Sequence, residues 1–161
     1  MTQYTNKLRE GLKLLLGKPL KKVTASIFSY QGVLNMESPQ AVSLQFEENH
    51  HLVFYTASDC VSLNCDHRTL SPWDFGEYGQ EILLDISQFS LWQYALDQVL
   101  TEAYILFSHV EENAVGIKMH FKSCIIIVVN CGDEMYVWDE EHFSDVFKNE
   151  KISEINVSQV K

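Results

Sequence analysis

"CIIIVVNCGDEMYVW" (124–138) sets six apolar residues in a row ahead of a Gly-Asp corner and an alternating run. Continuous β-branched residues suit a buried strand. Asn130, Gly132 and Asp133 are residue types that tolerate the backbone angles of a tight turn. The stretch therefore predicts a β-hairpin. "HLVFYTASDCVSLN" (51–64) has the same layout. At an offset of 74, Leu52, Val53, Phe54 and Tyr55 meet Ile126, Ile127, Val128 and Val129, Asp59 meets Asp133, and Val61 and Leu63 meet Met135 and Val137.

The correspondence continues upstream. "AVSLQF" (41–46) faces "GIKMHF" (116–121) at an offset of 75, and both are period-two strands with one apolar face. "LGKPLKKVTASIFS" (16–29) faces "LDQVLTEAYILFSH" (96–109) at an offset of 80. A helical pattern precedes each. The first runs through Tyr4, Leu8, Leu12 and Leu15 and stops at Gly17, with Pro19 beyond it. The second opens at "SLWQ" (90–93), where Ser90 and Gln93 have the spacing of a capping box.

The predicted fold is β-rich α+β: a helix plus a four-stranded antiparallel meander, duplicated, with the halves packed as a sandwich or half-open barrel. About eight strands are expected, with an N-terminal helix, a short helix near 90–97 and a C-terminal helix near 140–148. The chain reads as one domain over 1–161, with half-repeats near 4–64 and 88–138, a linker at 65–87, and a helix and tail at 139–161. The final "KISEINVSQVK" is either an edge strand or a frayed tail. A core of this kind predicts no obvious cavity, although barrel mouths often hold one.

The duplication bears on the cysteines. Cys60 faces Glu134, Cys65 faces Asp139 and Cys131 faces Ala57, so the repeat has no cysteine position of its own. Cys60 and Cys65, five apart on one expected strand, fall on opposite faces, whereas metal ligands must converge. Small buried or turn-edge thiols are expected. In "ENHH" (48–51), His50 and His51 are expected on a solvated turn. Together with Cys65, Asp66 and His67 they form the one set from which a metal or nuclease site could be argued, and nothing in the sequence fixes their distances. The chain has no phosphate-binding glycine loop, Gly-x-Ser-x-Gly elbow or His-Glu-x-x-His motif. No catalytic residue, metal or cofactor is assigned.

Charge is the informative bulk property. The formal net charge is −10 at pH 7. Residues 1–22 run against it at +5, and no Lys or Arg occurs between Arg68 and Lys118. An acidic field repels nucleic acid and anionic lipid and attracts basic proteins. The charged N-terminus does not read as a signal segment, no apolar run approaches a membrane span, and the few cysteines suit reduced thiols, so a cytoplasmic protein is expected.

"CDHRTLSPWDFGEYGQE" (65–81) combines Trp73, Phe75 and Tyr78 with Asp74, Glu77 and Glu81. Rings among acids suit a recognition surface, the rings filling pockets and the carboxylates pairing with basic side chains. The same rings could instead point inward and cap the core. Glu111 and Glu112 belong to the same acidic stretch and complete the candidate partner-binding set. "DEMYVWDEEHF" (133–143) is a second acidic and aromatic cluster. Structure accounts for it: Asp139 makes an N-cap, Glu140 and Glu141 suit a helix start, and Trp138 with Phe143 has the spacing of a hydrophobic staple.

A small acidic chain with Trp and Leu ahead of a strand, a "GIKMHF" strand and an "IIIVVNCGDEMYVW" hairpin resembles the immunity proteins encoded beside bacterial polymorphic and contact-dependent growth inhibition toxins. That resemblance implies a non-catalytic protein that binds and neutralises a cognate toxin domain, often a basic nuclease. The acidic stretch and the linker rings would be its contact surface. Two other readings stand beside it: a barrel that binds a small ligand in an apolar cavity, and a metal-dependent hydrolase using Asp66, His67 and His50.

Overall fold

The computed structural model describes residues 2–159 and builds two antiparallel sheets. The first half begins with α1 (Gln3–Leu15), whose buried Leu8, Leu12 and Leu15 form one stripe. Strands β1 (Leu20–Tyr30), β3 (Ala41–Phe46), β4 (His51–Thr56) and β5 (Leu63–Asp66) follow as a meander. β2 (Val33–Leu34) folds back on the end of β1. The second half has α2 (Trp92–Ala95), then β8 (Leu100–Ser108), β9 (Asn113–Phe121), β10 (Ile125–Cys131) and β11 (Glu134–Trp138). Gly132 and Asp133 both have positive φ, as a two-residue hairpin with a primed turn requires. The opening stretch is that hairpin.

Each half is longer than a helix and four strands. After β5 come β6 (Trp73–Asp74) and β7 (Gln80–Asp85), and β7 pairs with β1 on the side away from β3. After β11 come α3 (Glu140–Val146) and β12 (Ile152–Asn156), and β12 pairs with β8 in the same way. Among the described residues twelve strands therefore replace the expected eight. The stretch 65–87 is not only a link, and the C-terminal segment is an edge strand through Asn156, with Val160 and Lys161 outside the described residues. The fifth strands end alike. Ile86 N donates to Val23 O at 2.9 Å and Val157 N to Ala103 O at 3.1 Å, and Ile86 and Val157 are both buried in the core.

Where the halves meet, the hydrogen bonds come in matched pairs. Gly17 N donates to Leu100 O at 2.9 Å and Asp97 N to Leu20 O at 2.7 Å, which is one contact written twice at the offset of 80. Leu20 N to Gln98 O and Leu100 N to Lys18 O, both 3.0 Å, are a second such pair. Between them Pro19 faces its own counterpart Val99. Thr56 Oγ1 likewise donates to Asn130 Oδ1 at 3.0 Å, and these two are equivalent at the offset of 74. Residues that touch their own equivalents lie on a two-fold axis. Gly17 and Asp97 are matched even in backbone, with φ of +80° and +65°. β1 and β8 carry the same bulge, between Leu20 and Lys22 and between Leu100 and Glu102.

One core cluster joins α1, Trp92 of α2 and the inner faces of both sheets. A smaller cluster lies under α3 on the outer face of the second sheet, where Phe143 and Phe147 stack with centroids 4.7 Å apart. Lys118 of β9 reaches that face too, bound to Glu140 of α3 at 2.7 Å and Glu154 of β12 at 2.6 Å. Burial opposes the Lys118 charge, but those carboxylates outweigh it and hold the pKa above the ordinary lysine value.

Several local expectations are corrected. Registers of Thr56 with Leu63 and of Asn130 with Met135 show that the first turn is two residues longer, so Leu63 matches Met135, and Cys65 matches Val137 instead of Asp139. Cys60 lies in that longer turn at φ +62°, not on a strand. Ser90, at φ +53°, caps nothing through its side chain; Gln93 Nε2 donates to its carbonyl instead. His51 opens β4 and is not in the turn. Asp139 is the expected N-cap, accepting from His142 N at 2.8 Å, and Trp138 and Phe143 join one cluster, in which the Trp138 ring meets His142 and Phe147.

Leu20 and Leu100 are both fully buried beside the axis. Leu20→Ala and Leu100→Ala are each expected to lower unfolding free energy by about 3 kcal/mol in urea denaturation, as buried Leu deletions do. Costs that differ by more than about 2 kcal/mol would deny the two positions equivalent roles.

Candidate functional site

In both halves the fourth and fifth strands lie on opposite sides of the first strand, so the connector between them must cross the outer face of its own sheet. In the second half that connector is α3, which turns its rings down onto the sheet. In the first half it is the segment 67–79. Seven residue steps from Asp66 to Trp73 reach about 25 Å at most. The five strand spacings they cross come to about 24 Å, so the connector has little slack. It cannot form a helix there. Val53 of β4, fully buried yet outside the main core, lies on the face it crosses.

The near end of this strap is pinned by Arg68. Its Nε and Nη2 donate to both oxygens of Asp66 at 2.7–3.0 Å, its Nη2 donates to Tyr55 Oη at 2.9 Å, and its guanidinium carbon sits 4.1 Å from the Tyr55 ring centroid. Tyr55 Oη in turn donates to Asp66 Oδ2 at 2.7 Å. Burial works to raise the Asp66 carboxyl, and the Arg68 and Tyr55 hydrogen bonds outweigh it, holding the group down at about 2. The Tyr55 hydroxyl is pushed up to about 12 by burial and then by Asp66. These groups clamp a loop. A polar cleft of about 440 Å³ opens beside them, bordered by Ser26, Arg68, Ser71 and Glu81.

At the far end the chain rises to the sheet edge as β6, turns through a single 3-10 turn (Gly76–Tyr78) and re-enters as β7. Asp74 Oδ1 accepts from Gly76 N at 2.8 Å, and Phe75 N donates to Gly79 O at 2.8 Å. Gly79 has φ +108°, and a Cβ there would lie 2.7 Å from Ser29 O and from the Phe28 ring, so only glycine lets the loop seat this closely. The loop therefore carries its rings outward. Trp73 is 62%, Phe75 42% and Tyr78 73% exposed, with Phe75 6.4 Å from both Trp73 and Phe28. Tyr30 and Val33 stand exposed at the neighbouring end of β1 and β2.

Of the candidate partner-binding residues, Trp73, Asp74, Phe75, Glu77 and Tyr78 share this edge. Glu81 pairs with Trp73 but is half-buried on the outer face, within reach of Ser26 Oγ at 3.5 Å. Glu111 and Glu112 do not join them. They form the turn between β8 and β9 in the other sheet, where Glu111 borders a small cleft with Cys60, Cys131 and Phe147.

The proposed metal set does not converge. Cys65 Sγ points at α1 and donates to Lys7 O at 3.4 Å, and burial raises its thiol to about 12. His51 and His67 each bond the other's carbonyl at 2.9 Å through a ring nitrogen. Among the described residues no group of three or more His, Cys, Asp or Glu side chains is arranged to hold a metal ion. No helix of the described residues is long and apolar enough to cross a membrane.

A cavity, expected only at a barrel mouth, is present. An apolar cleft of about 600 Å³ opens between the sheets at the edge of β11, lined within by Trp92 and the inward-facing Val137 and at its rim by the outward-facing Tyr136 and Trp138 beside α3. The alternation in "EMYVW" was visible in the sequence, but what leaves its inward-facing Val137 half-covered is the brevity of α2. Comparison with family models, with curated proteins and with solved structures gives no match to this chain.

The folded Asp66 value lies below the ordinary carboxylate value of 3.8, so its contribution to stability is fully present above that range and is lost as pH falls toward 2. Arg68 is half exposed, so solvent screening limits the effect to about 1 kcal/mol. Asp66→Asn is expected to be less stable than the parent at pH 7 and to flatten the loss of stability between pH 5 and pH 2 in acid titrations followed by circular dichroism.

Proposed function

We propose that this protein is a non-catalytic inhibitor that docks on a basic partner polypeptide through the edge formed by Trp73, Asp74, Phe75, Glu77 and Tyr78, with a cognate toxin domain as the partner. One observation carries the reading. The same connector occurs in both halves, and the second packs its rings away while the first spends a taut strap and a close-fitting glycine on holding three rings in solvent. A lid for the core would do the opposite. Exposed rings next to carboxylates match an anchor-and-steering surface, in which aromatic burial holds the complex and charge speeds encounter.

The electrostatics favour a protein partner. A net charge of −10, with no cation in the sequence between Arg68 and Lys118, disfavours nucleic acid and anionic membranes alike. Glu111 and Glu112 contribute to the long-range field and not to the contact edge.

The direct test is growth of a host that expresses the polypeptide encoded next to this gene, with and without this protein. Rescue supports the reading; toxicity indifferent to co-expression removes it. With a partner in hand, Glu77→Lys combined with Asp74→Asn, which keeps the turn acceptor for Gly76 N, is expected to slow association about tenfold at low salt. Trp73→Ala is expected to speed dissociation by a similar factor while leaving stability within about 0.5 kcal/mol of the parent. Unchanged rates in stopped-flow measurements would reduce the edge to a loop without a contact role.

A further inference from the structure

The two halves differ most in their helices. α1 has 13 residues and covers β5. It sits hard on its own half: a Cβ on Gly11 would come within 2.9 Å of Leu52, with Cys65 at 3.3 Å. Registers make Ile126 and Val137 the counterparts of Leu52 and Cys65. α2, however, keeps only the last turn of the pattern, because the chain ahead of it is occupied as β7 and the turn through Ile86. α2 makes no extensive contact with β11. Cys65 is buried under α1, whereas Val137 is left half-buried on the wall of the 600 Å³ cleft. The cleft thus lies where the two-fold places the missing first turns of the second helix.

We propose that this cleft is a docking groove for a basic amphipathic helix of a partner polypeptide, seated as the first two turns of α1 are seated in the other half. The lining supplies the apolar side: Ile27, Trp92 and Val137 within, and Tyr136, Trp138 and Val146 at the rim by α3. Tyr136 Oη donates to Glu134 at 2.6 Å and its ring stacks on Trp138 at 5.0 Å, so this rim is fixed in place. The rim supplies charge. Among the described residues no Lys or Arg borders the cleft, and Glu37 stands at its mouth with no cation partner. Exposed Glu141 and Asp145 follow along α3 beside the lining residues His142 and Val146. A helix with Lys or Arg on its outer face meets those acids, and α1 itself is of this kind, with Lys7, Arg9 and Lys13 around a leucine stripe. The volume is of the order used to bury such anchors. The proposal rests on the basic-partner reading and gives that partner a second point of attachment.

The internal two-fold supplies its own probe. A fluorescently labelled peptide of residues 2–16, TQYTNKLREGLKLLL, is titrated with the whole protein and followed by anisotropy. Saturable one-to-one binding is expected in the range of about 10–100 µM. Val146→Trp, which fills the mouth from an exposed helix position, is expected to weaken binding at least tenfold while the circular dichroism spectrum and melting stay those of the parent. Glu37→Lys is expected to weaken it several-fold at low salt. A peptide with two leucines of the stripe, Leu8 and Leu12, changed to Glu is expected not to bind. The Glu77→Lys, Asp74→Asn protein is expected to bind the peptide unchanged, which separates failure of this site from failure of the Trp73 edge. Absence of saturation below about 1 mM, or binding indifferent to Val146→Trp, overturns the proposal. So does a dimer of this chain that Val146→Trp dissociates, since a second copy would then be the occupant.

Discussion

Four backbone hydrogen bonds around Pro19 and Val99 hold the two halves in one frame. They require both segments to leave a helix, pass through a left-handed residue and enter a strand within four residues. Gly17 meets this at no steric cost; Asp97 meets it as one of the few other residue types that tolerate the angle. Proline is tolerated on the axis because the bonds on either side come from Leu20 and Leu100, so the position between them needs no amide. From this junction both sheets start in register, with Leu20 and Leu100 side by side in the core and the same bulge after each.

Much of this could be read from residue order because burial imposes periods. Leu8, Leu12 and Leu15 recur at helical spacing, and Val42, Leu44 and Phe46 alternate as Ile117, Met119 and Phe121 do, so the duplicated meander was legible. The fifth strands were not. "QEILLD" is only half-buried, with its pleat broken by adjacent apolar residues, and its partner β1 lies more than fifty residues away. Nothing local encodes such a pairing. Cys60 was misplaced for a related reason: a longer turn shifts the register by two, and two residues leave face parity intact while changing every partner.

The candidate site shows the same division. Aromatic residues among acids marked 73–81 as either a surface or a lid, and composition could not choose between them. Connector length chose. A strap of seven steps drawn across five strand spacings has no slack to turn Trp73 inward, while the longer path through α3 does, and Phe147 is buried as a result. Glu111 and Glu112 are sequence neighbours of the acidic stretch only, because the chain changes sheets at α2 before reaching them. The apolar cleft follows from what the duplication lacks, which becomes visible only when the halves are superposed through their hydrogen bonds.

Fold and function thus meet in departures from symmetry: one connector holds its rings in solvent, and one helix is too short to cover its sheet. Both departures have meaning only if the junction at Pro19 and Val99 is a true two-fold seam. Amide hydrogen exchange on the native protein tests this most directly. The account predicts that Gly17, Leu20, Asp97 and Leu100 exchange only through global unfolding, with one shared protection free energy. Exchange of Gly17 or Asp97 at the rate of a fraying loop, while the strands stay protected, would contradict it.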